Sequence, residues 1–287
     1  MAYLVTGATG DVGSRVVQRL IQLGERPRVF VRDANRARAR FADRVDICVG
    51  DLADSASLRS ALAGAHAIFL VNSGPTIPER DQAAAHAART AGVEHLVKLS
   101  SMDVEQGLAI GAWHERGEAA IRTSGIRFTF VQPTGFMSNL LAWSTSIRTE
   151  GVVRASTGDG RRAFIDSDDI AAVVTKALTT RDFDGESLPI TGPQALNFAE
   201  ATAIIGAAIG KSLSFQPISD EEARQRYSAT GASEQETEAH VALWRAIREG
   251  RLAKVTGNVE RILGRRPIAL QQWATENAAA FQLAAAV

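Results

Sequence analysis

A chain of 287 residues is long enough to bury a substantial core, as one large domain or as a domain with an appended lobe. Its 32 basic residues balance 32 acidic ones, which leaves no electrostatic footprint for nucleic acid or an anionic membrane. No apolar run approaches the roughly 18 residues of a membrane span, one cysteine cannot form an internal disulfide, and the five histidines show no metal-ligand spacing, so no metal is expected.

The first strand-like run, "YLVTG" (3–7), begins so near Met1 that no room is left for a leader, and the cytoplasm is the expected compartment. It runs into "TGATGDVG", with Gly7, Gly10 and Gly13 three apart, and then into a helix over 11–24. The first glycine permits the tight turn, the second lets backbone approach a diphosphate, and the third lets helix pack on strand. The helix start offers amide N–H groups and a positive dipole end, so Thr9, Asp11 and Val12 join the three glycines as candidate dinucleotide-binding residues.

The second strand, 26–32, ends at Arg32, followed by Asp33 and, one turn on, Arg36. An acidic residue closing this strand suits a ribose 2′-OH, whereas an arginine suits a 2′-phosphate. NADP(H) is therefore the preferred cofactor, with NAD(H) left open because Asp33 can compete for the ribose. After a helix near 36–42 comes the strand "VDICVG" (45–50), where Cys48 reads as a small buried hydrophobe. Asp51 and Leu52 stand at its tip, within reach of an adenine. A helix over 55–63 leads to "HAIFLVN" (66–72), whose tip places Asn72 and Ser73 near the nicotinamide ribose. Each of these polar residues also reads as a simple strand-end cap.

A helix over 79–92, the strand "EHLVKLS" (94–100), a helix over 114–124 ending at Gly125, and the strand "RFTFVQP" (127–133) complete the alternation. Near-continuous apolar strands alternating with helices specify a doubly wound parallel sheet, an α/β Rossmann architecture. Beyond 134 the pattern loosens. A strand ending near Asp166, a helix capped by Ser167 or Asp168, the strand "ESLPITG" and the helix "NFAEATAIIGAAIG" follow, and a helical period runs on from Asp220. The expected division is a nucleotide-binding core over 1–155 and a smaller, mostly helical lobe over 156–287 that completes the sheet and the substrate pocket.

The blocks "TGATGDVG", "FVRD", "GDL", "VKLSS", "GEAAIRTSGIRFTFVQPTGFMSN" and "FIDSDDIAAV" together resemble the NmrA-like atypical short-chain dehydrogenases, among them quinone-reductase-like members and tailoring enzymes of aromatic polyketide pathways. The likeness runs from residue 3 to roughly 200. It implies NAD(P) bound to a Rossmann core, with Gln132, Pro133 and Phe136 near the nicotinamide and Met137 and Asn139 close to the substrate. Phe136, Met137, Trp143 and, later in the chain, Trp244 would form an apolar, aromatic wall for a flat small-molecule substrate, and each also reads as core.

The chain departs from the usual short-chain dehydrogenase chemistry. Its two tyrosines, Tyr3 and Tyr227, are followed four positions later by Gly7 and Gly231, so no Tyr-x-x-x-Lys pair exists. At the corresponding spacing stand Ser101, His114 and Glu118. Because His114 and Glu118 are i, i+4, the carboxylate is expected to raise the histidine pKa and make it the proton donor, with Ser101 holding the substrate oxygen. The competing reading is a solvated helix start.

The function this implies is an NAD(P)H-dependent oxidoreductase acting on a quinone or polycyclic aromatic ketone. Two alternatives remain: a dinucleotide-binding redox sensor without turnover, and an anthrone-type oxygenase whose substrate reacts with oxygen directly. Neither a nucleic-acid nor a membrane partner is expected, and a homo-oligomer is neither required nor excluded by the sequence.

Overall fold

The computed structural model describes residues 1–282. The elements run β1 (Tyr3–Thr6), α1 (Asp11–Gln22), β2 (Arg28–Val31), α2 (Ala34–Phe41), β3 (Asp46–Val49), α3 (Ser55–Leu62), β4 (Ala67–Leu70) and α4 (Ile77–Thr90). Then come β5 (His95–Leu99), α5 (Ala109–Thr123), β6 (Arg127–Pro133), β7 (Gly135–Phe136), α6 (Ser144–Glu150), β8 (Val152–Ala155) and β9 (Arg161–Ile165). The remainder is α7 (Ser167–Thr179), β10 (Ser187–Ile190), β11 (Ala195–Asn197), α8 (Phe198–Ile209), β12 (Ser214–Pro217), α9 (Asp220–Ser228), α10 (Glu234–Arg248), α11 (Asn258–Leu263) and α12 (Leu270–Glu276).

Two compact units emerge. The first joins 1–105, 110–133 and 167–189, and the second joins 106–109, 134–166 and the described residues from 190 onward. Neither unit follows a single cut in the chain, because α7 packs on α1 and belongs to the first.

The first unit is built on a seven-stranded sheet in the order β10-β6-β5-β4-β1-β2-β3. Adjacent strands from β6 through β3 pair in parallel. The central strands β1, β4 and β5 are buried along their whole length, as a sheet covered on both faces demands. Local chemistry sets the helix starts: the carboxylates of Asp33 and Asp54 accept amide hydrogens at the first turns of α2 and α3. The expected α/β Rossmann class is what the chain forms. The second unit holds a three-stranded sheet, β11-β9-β7, a two-stranded one, β12-β8, and helices α8 to α12. Capping boxes at Asn197/Glu200 and Ser233/Glu236 open α8 and α10.

Two expectations change. Cys48 is half-buried, because β3 is the sheet edge and two of its four residues are exposed. Helix α5 begins at Ala109, a full turn before the predicted start at 114. His114 and Glu118 consequently sit in the middle of the helix, on its buried face with Trp113, Gly117 and Ile121.

Candidate functional site

The C-terminal tips of β1 to β4 surround a cavity of about 370 Å³ within the first unit. Its wall includes Gly7, Thr9, Arg32, Asp51, Leu52, Asn72 and Ser73, seven of the residues expected to hold a dinucleotide. A parallel sheet places its ligand crevice here, beyond the strand C-termini.

The glycine loop is shaped as its sequence requires. Gly7 has φ +59°, a left-handed conformation, and a Cβ there would lie 3.1 Å from Val71. The Gly10 amide donates to the Gly7 carbonyl at 2.9 Å and closes the turn. A Cβ on Gly13 would stand 2.2 Å from the Gly7 oxygen, so only glycine lets α1 start so close to the loop. Beneath the loop the Thr6 hydroxyl donates to the Phe69 carbonyl at 3.1 Å and accepts the Val71 amide at 2.8 Å, which locks the β1 and β4 tips together. No side chain caps α1 at Gly10, so the helix start keeps its amide donors for a ligand. Gly10, Asp11, Val12 and Gly13 lie beside the cavity wall and not in it. Asp11 is engaged by Arg15 and by the Ser167 hydroxyl at 2.6 Å.

At the β2 tip the two candidate charges have different fates. Asp33 Oδ1 accepts the Asn35 and Arg36 amides at 2.8 and 3.1 Å and caps α2, and Asp33 lies outside the cavity wall. The Arg32 guanidinium lines the cavity with no carboxylate partner among the described residues. Arg36 is exposed and outside the wall. A second guanidinium, Arg80 of α4, also lines the cavity without such a partner. Nothing in the local sequence distinguishes Arg80 from the chain's other arginines, because only the α4 packing turns it inward. Asp51 accepts the Ala53 amide at 2.9 Å and contributes the one acidic side chain of the wall.

Behind the β4 and β5 tips, side chains the sequence did not single out make a buried polar network. Lys98 of β5 and Asp81 of α4 are both fully buried and form an ion pair at 2.6 Å. Asn72 Nδ2 donates to the other Asp81 oxygen at 2.6 Å, and Lys98 Nζ lies 3.2 Å from His114 Nδ1. The signal was available: a lysine within the apolar strand "HLVKL" must find a partner if the strand is buried on both faces.

His114, Glu118 and Ser101 each engage partners other than one another. Glu118 does not face His114. Its Oε1 accepts the Ser100 hydroxyl at 2.5 Å and the Gln132 amide at 2.8 Å, while Arg122 lies 3.3 Å from Oε2. The expected rise in the His114 pKa is therefore corrected: burial, and secondarily the Lys98 charge, push it down to about 3. Ser101 Oγ accepts the Asp103 amide at 3.1 Å. Gln132 and Pro133 are buried at the end of β6 and outside the cavity wall.

In the second unit Met137 is buried, Phe136 is half-buried and Asn139 is exposed. Trp143 packs on Phe198 at 5.1 Å, in an aromatic cluster with Phe164 and Phe215. Among the described residues, no group of three or more metal-ligating side chains converges, and no helix is long and apolar enough to cross a membrane.

A family model described as NAD(P)H-binding matches residues 7–181. The chain is 39% identical to the (4-alkanoyl-5-oxo-2,5-dihydrofuran-3-yl)methyl phosphate reductase of Streptomyces griseus subsp. griseus, over 97% of this chain and 98% of that protein. It is 37% identical to the NAD(P)H azoreductase of Xenophilus azovorans, with the same shares covered. The solved NADPH complex of the quinone oxidoreductase QOR2 from Escherichia coli superposes with a TM-score of 0.87 at 22% identity, over 96% and 99% of the two chains, a likeness of fold. The chain also resembles an NmrA-like family domain-containing oxidoreductase of Aspergillus flavus, at 23% identity over 96% of each chain; it belongs to the NAD(P)H-binding family and is an NAD(P)H-dependent oxidoreductase.

Proposed function

We propose that the chain uses NADPH to reduce a conjugated, electron-poor acceptor, a quinone or polycyclic aromatic ketone of the kind aromatic polyketide pathways produce, with little help from a protein acid. The observation that carries this reading is the state of His114. A histidine held near pKa 3 is neutral at physiological pH and has no imidazolium proton to give. No Tyr-x-x-x-Lys pair replaces it. An acceptor whose reduced form is stable as an anion needs no strong acid, because the ring system delocalises the incoming charge and water protonates it later. A simple ketone, whose alkoxide is strongly basic, does need one.

The residues present fit the cofactor. The loop amides from Gly7 to Gly13 would hold the diphosphate, Arg32 the 2′-phosphate, and Asp51 the adenine edge, while Asp33 caps α2 outside the cavity wall. When bound, NADPH supplies the hydride. Ser101 would hold the acceptor oxygen with its hydroxyl hydrogen, since its oxygen is already occupied by the Asp103 amide. Phe136, Met137, Asn139 and Trp143 remain candidates for the wall against a flat ring. The two relatives are named for reduction of an oxo-dihydrofuran phosphate and of azo compounds, both conjugated acceptors.

The test is to mix the purified chain with NADPH and a panel of small quinones, an anthraquinone, an azo dye and an unconjugated ketone. Loss of reduced-nicotinamide absorbance with the conjugated acceptors alone is the expected result. Tight NADPH binding without turnover on any of them would replace the reading with a redox sensor. Oxygen uptake with a hydroxyanthracene in the absence of cofactor would replace it with an oxygenase.

A further inference from the structure

The Lys98–Asp81 pair sits between the cavity wall and His114, and its chemistry dictates the direction of every hydrogen bond it makes. An ionised carboxylate only accepts. The Asn72 atom 2.6 Å from Asp81 Oδ1 must therefore be the amide nitrogen. The Asn72 oxygen then points away from the pair. It is buried without a hydrogen-bond partner, on a side chain only 9% exposed that lines the cavity. An orphaned buried acceptor is costly unless a ligand satisfies it.

The same logic runs the other way. An ammonium only donates, so His114 Nδ1, 3.2 Å from Lys98 Nζ, must accept. The ring proton then resides on Nε2. The depressed pKa of His114 agrees, since a neutral ring is what an Nδ1 acceptor requires. Gly117 lets α5 close over the pair: a Cβ there would stand 2.2 Å from Asp81 Oδ2.

We propose that Lys98 and Asp81 are positioning residues that preset Asn72 as an acceptor for a hydroxyl of the nicotinamide ribose and His114 as an Nε2–H donor. The sheet order explains the choice of ribose. Arg32 and Asp51 stand at the tips of β2 and β3, on one side of β1, whereas Asn72 stands at the tip of β4 on the other. A dinucleotide whose diphosphate lies over the β1–α1 loop puts its two riboses on opposite sides of that loop. The inference rests on the reading that this cavity holds NAD(P)H.

Two measurements test it. Histidine 15N NMR on the full chain should show His114 neutral and protonated on Nε2 between about pH 5 and 8. Titration calorimetry should show that Asp81→Asn, in which residue 81 both donates and accepts, weakens NADPH by about tenfold or more. The same variant should bind 2′,5′-ADP, which lacks the nicotinamide ribose, within about twofold of the native chain. If Asp81→Asn does not fold, Asn72→Leu should give the same split between the two ligands. A proton on His114 Nδ1 would overturn the proposal, as would NADPH affinity that is unchanged or that falls in step with 2′,5′-ADP. Failure of the native chain to bind NADPH at all would instead overturn the cofactor reading, and the NMR result would still stand.

Discussion

Lys98 Nζ and Asp81 Oδ2 meet at 2.6 Å with neither side chain exposed to solvent, and Gly117 lies over the same oxygen. Two charges removed from water hold their energy only while paired, so anything that separates them leaves one uncompensated. Gly117→Ala forces that separation, because its methyl would occupy space 2.2 Å from the carboxylate oxygen. We expect a loss of about 3 kcal/mol, read as a lower urea midpoint with an unchanged m-value. A loss below roughly 0.5 kcal/mol, the scale of an ordinary surface substitution, would mean that α5 yields and the pair survives.

Three histidines are held neutral by burial. His114 is pushed down to about 3, and His95 and His240 to about 4, from an ordinary value of 6.5. Between those values and 6.5 the unfolded chain binds more protons than the folded one, so stability rises with pH. The contribution is complete above about 6.5 and is lost as pH falls toward 4 and then 3. Each histidine should cost up to about 2 kcal/mol between pH 7 and pH 5. Urea denaturation at the two pH values measures the sum, and His95→Phe, which removes one titrating ring, should shrink the difference.

Arg32 and Arg80 are the two cations of the cavity wall, and neither has a carboxylate partner among the described residues. Charge-assisted hydrogen bonds contribute about 1.5–3 kcal/mol. Arg32→Ala should therefore weaken NADPH by roughly tenfold to a hundredfold and leave NADH nearly unchanged. Arg80→Ala should weaken NADPH and should flatten the salt dependence of its binding. Equal losses of NADH and NADPH in Arg32→Ala would show that Arg32 does not read the 2′-phosphate.

A neutral His114 has a kinetic consequence. The rate of quinone reduction should show no inflection near the usual histidine range between about pH 5.5 and 8. An inflection near 6.5 in the native chain that disappears in His114→Gln would make His114 the acid after all, and would contradict its depressed pKa.

The glycine loop, its strand and its helix could be read directly because local backbone sterics demand those residues there. The same held for Arg32, Asp51 and Asn72 at strand tips, since the alternation of strand and helix places every tip on one edge. Arg80 was invisible, because its approach to the cavity depends on how α4 lies against the sheet. The pairing of His114 departs from the i, i+4 expectation for a related reason. The i, i+4 rule puts Glu118 on the same face of α5, but which neighbours fill that face is decided by the strands beneath it. Ser100 and Gln132 reach Glu118 first, and Lys98 reaches His114.

The amino-acid order alone thus determined the parallel sheet, the tight glycine turn between β1 and α1 and the absence of the usual tyrosine, since each follows from residues close together along the chain. Only tertiary packing decided the charge and direction of the groups behind the cavity. A titratable side chain takes its state from whatever surrounds it in space, and the partners of His114, Asp81 and Asn72 come from separate strands and helices that meet only when the chain is folded.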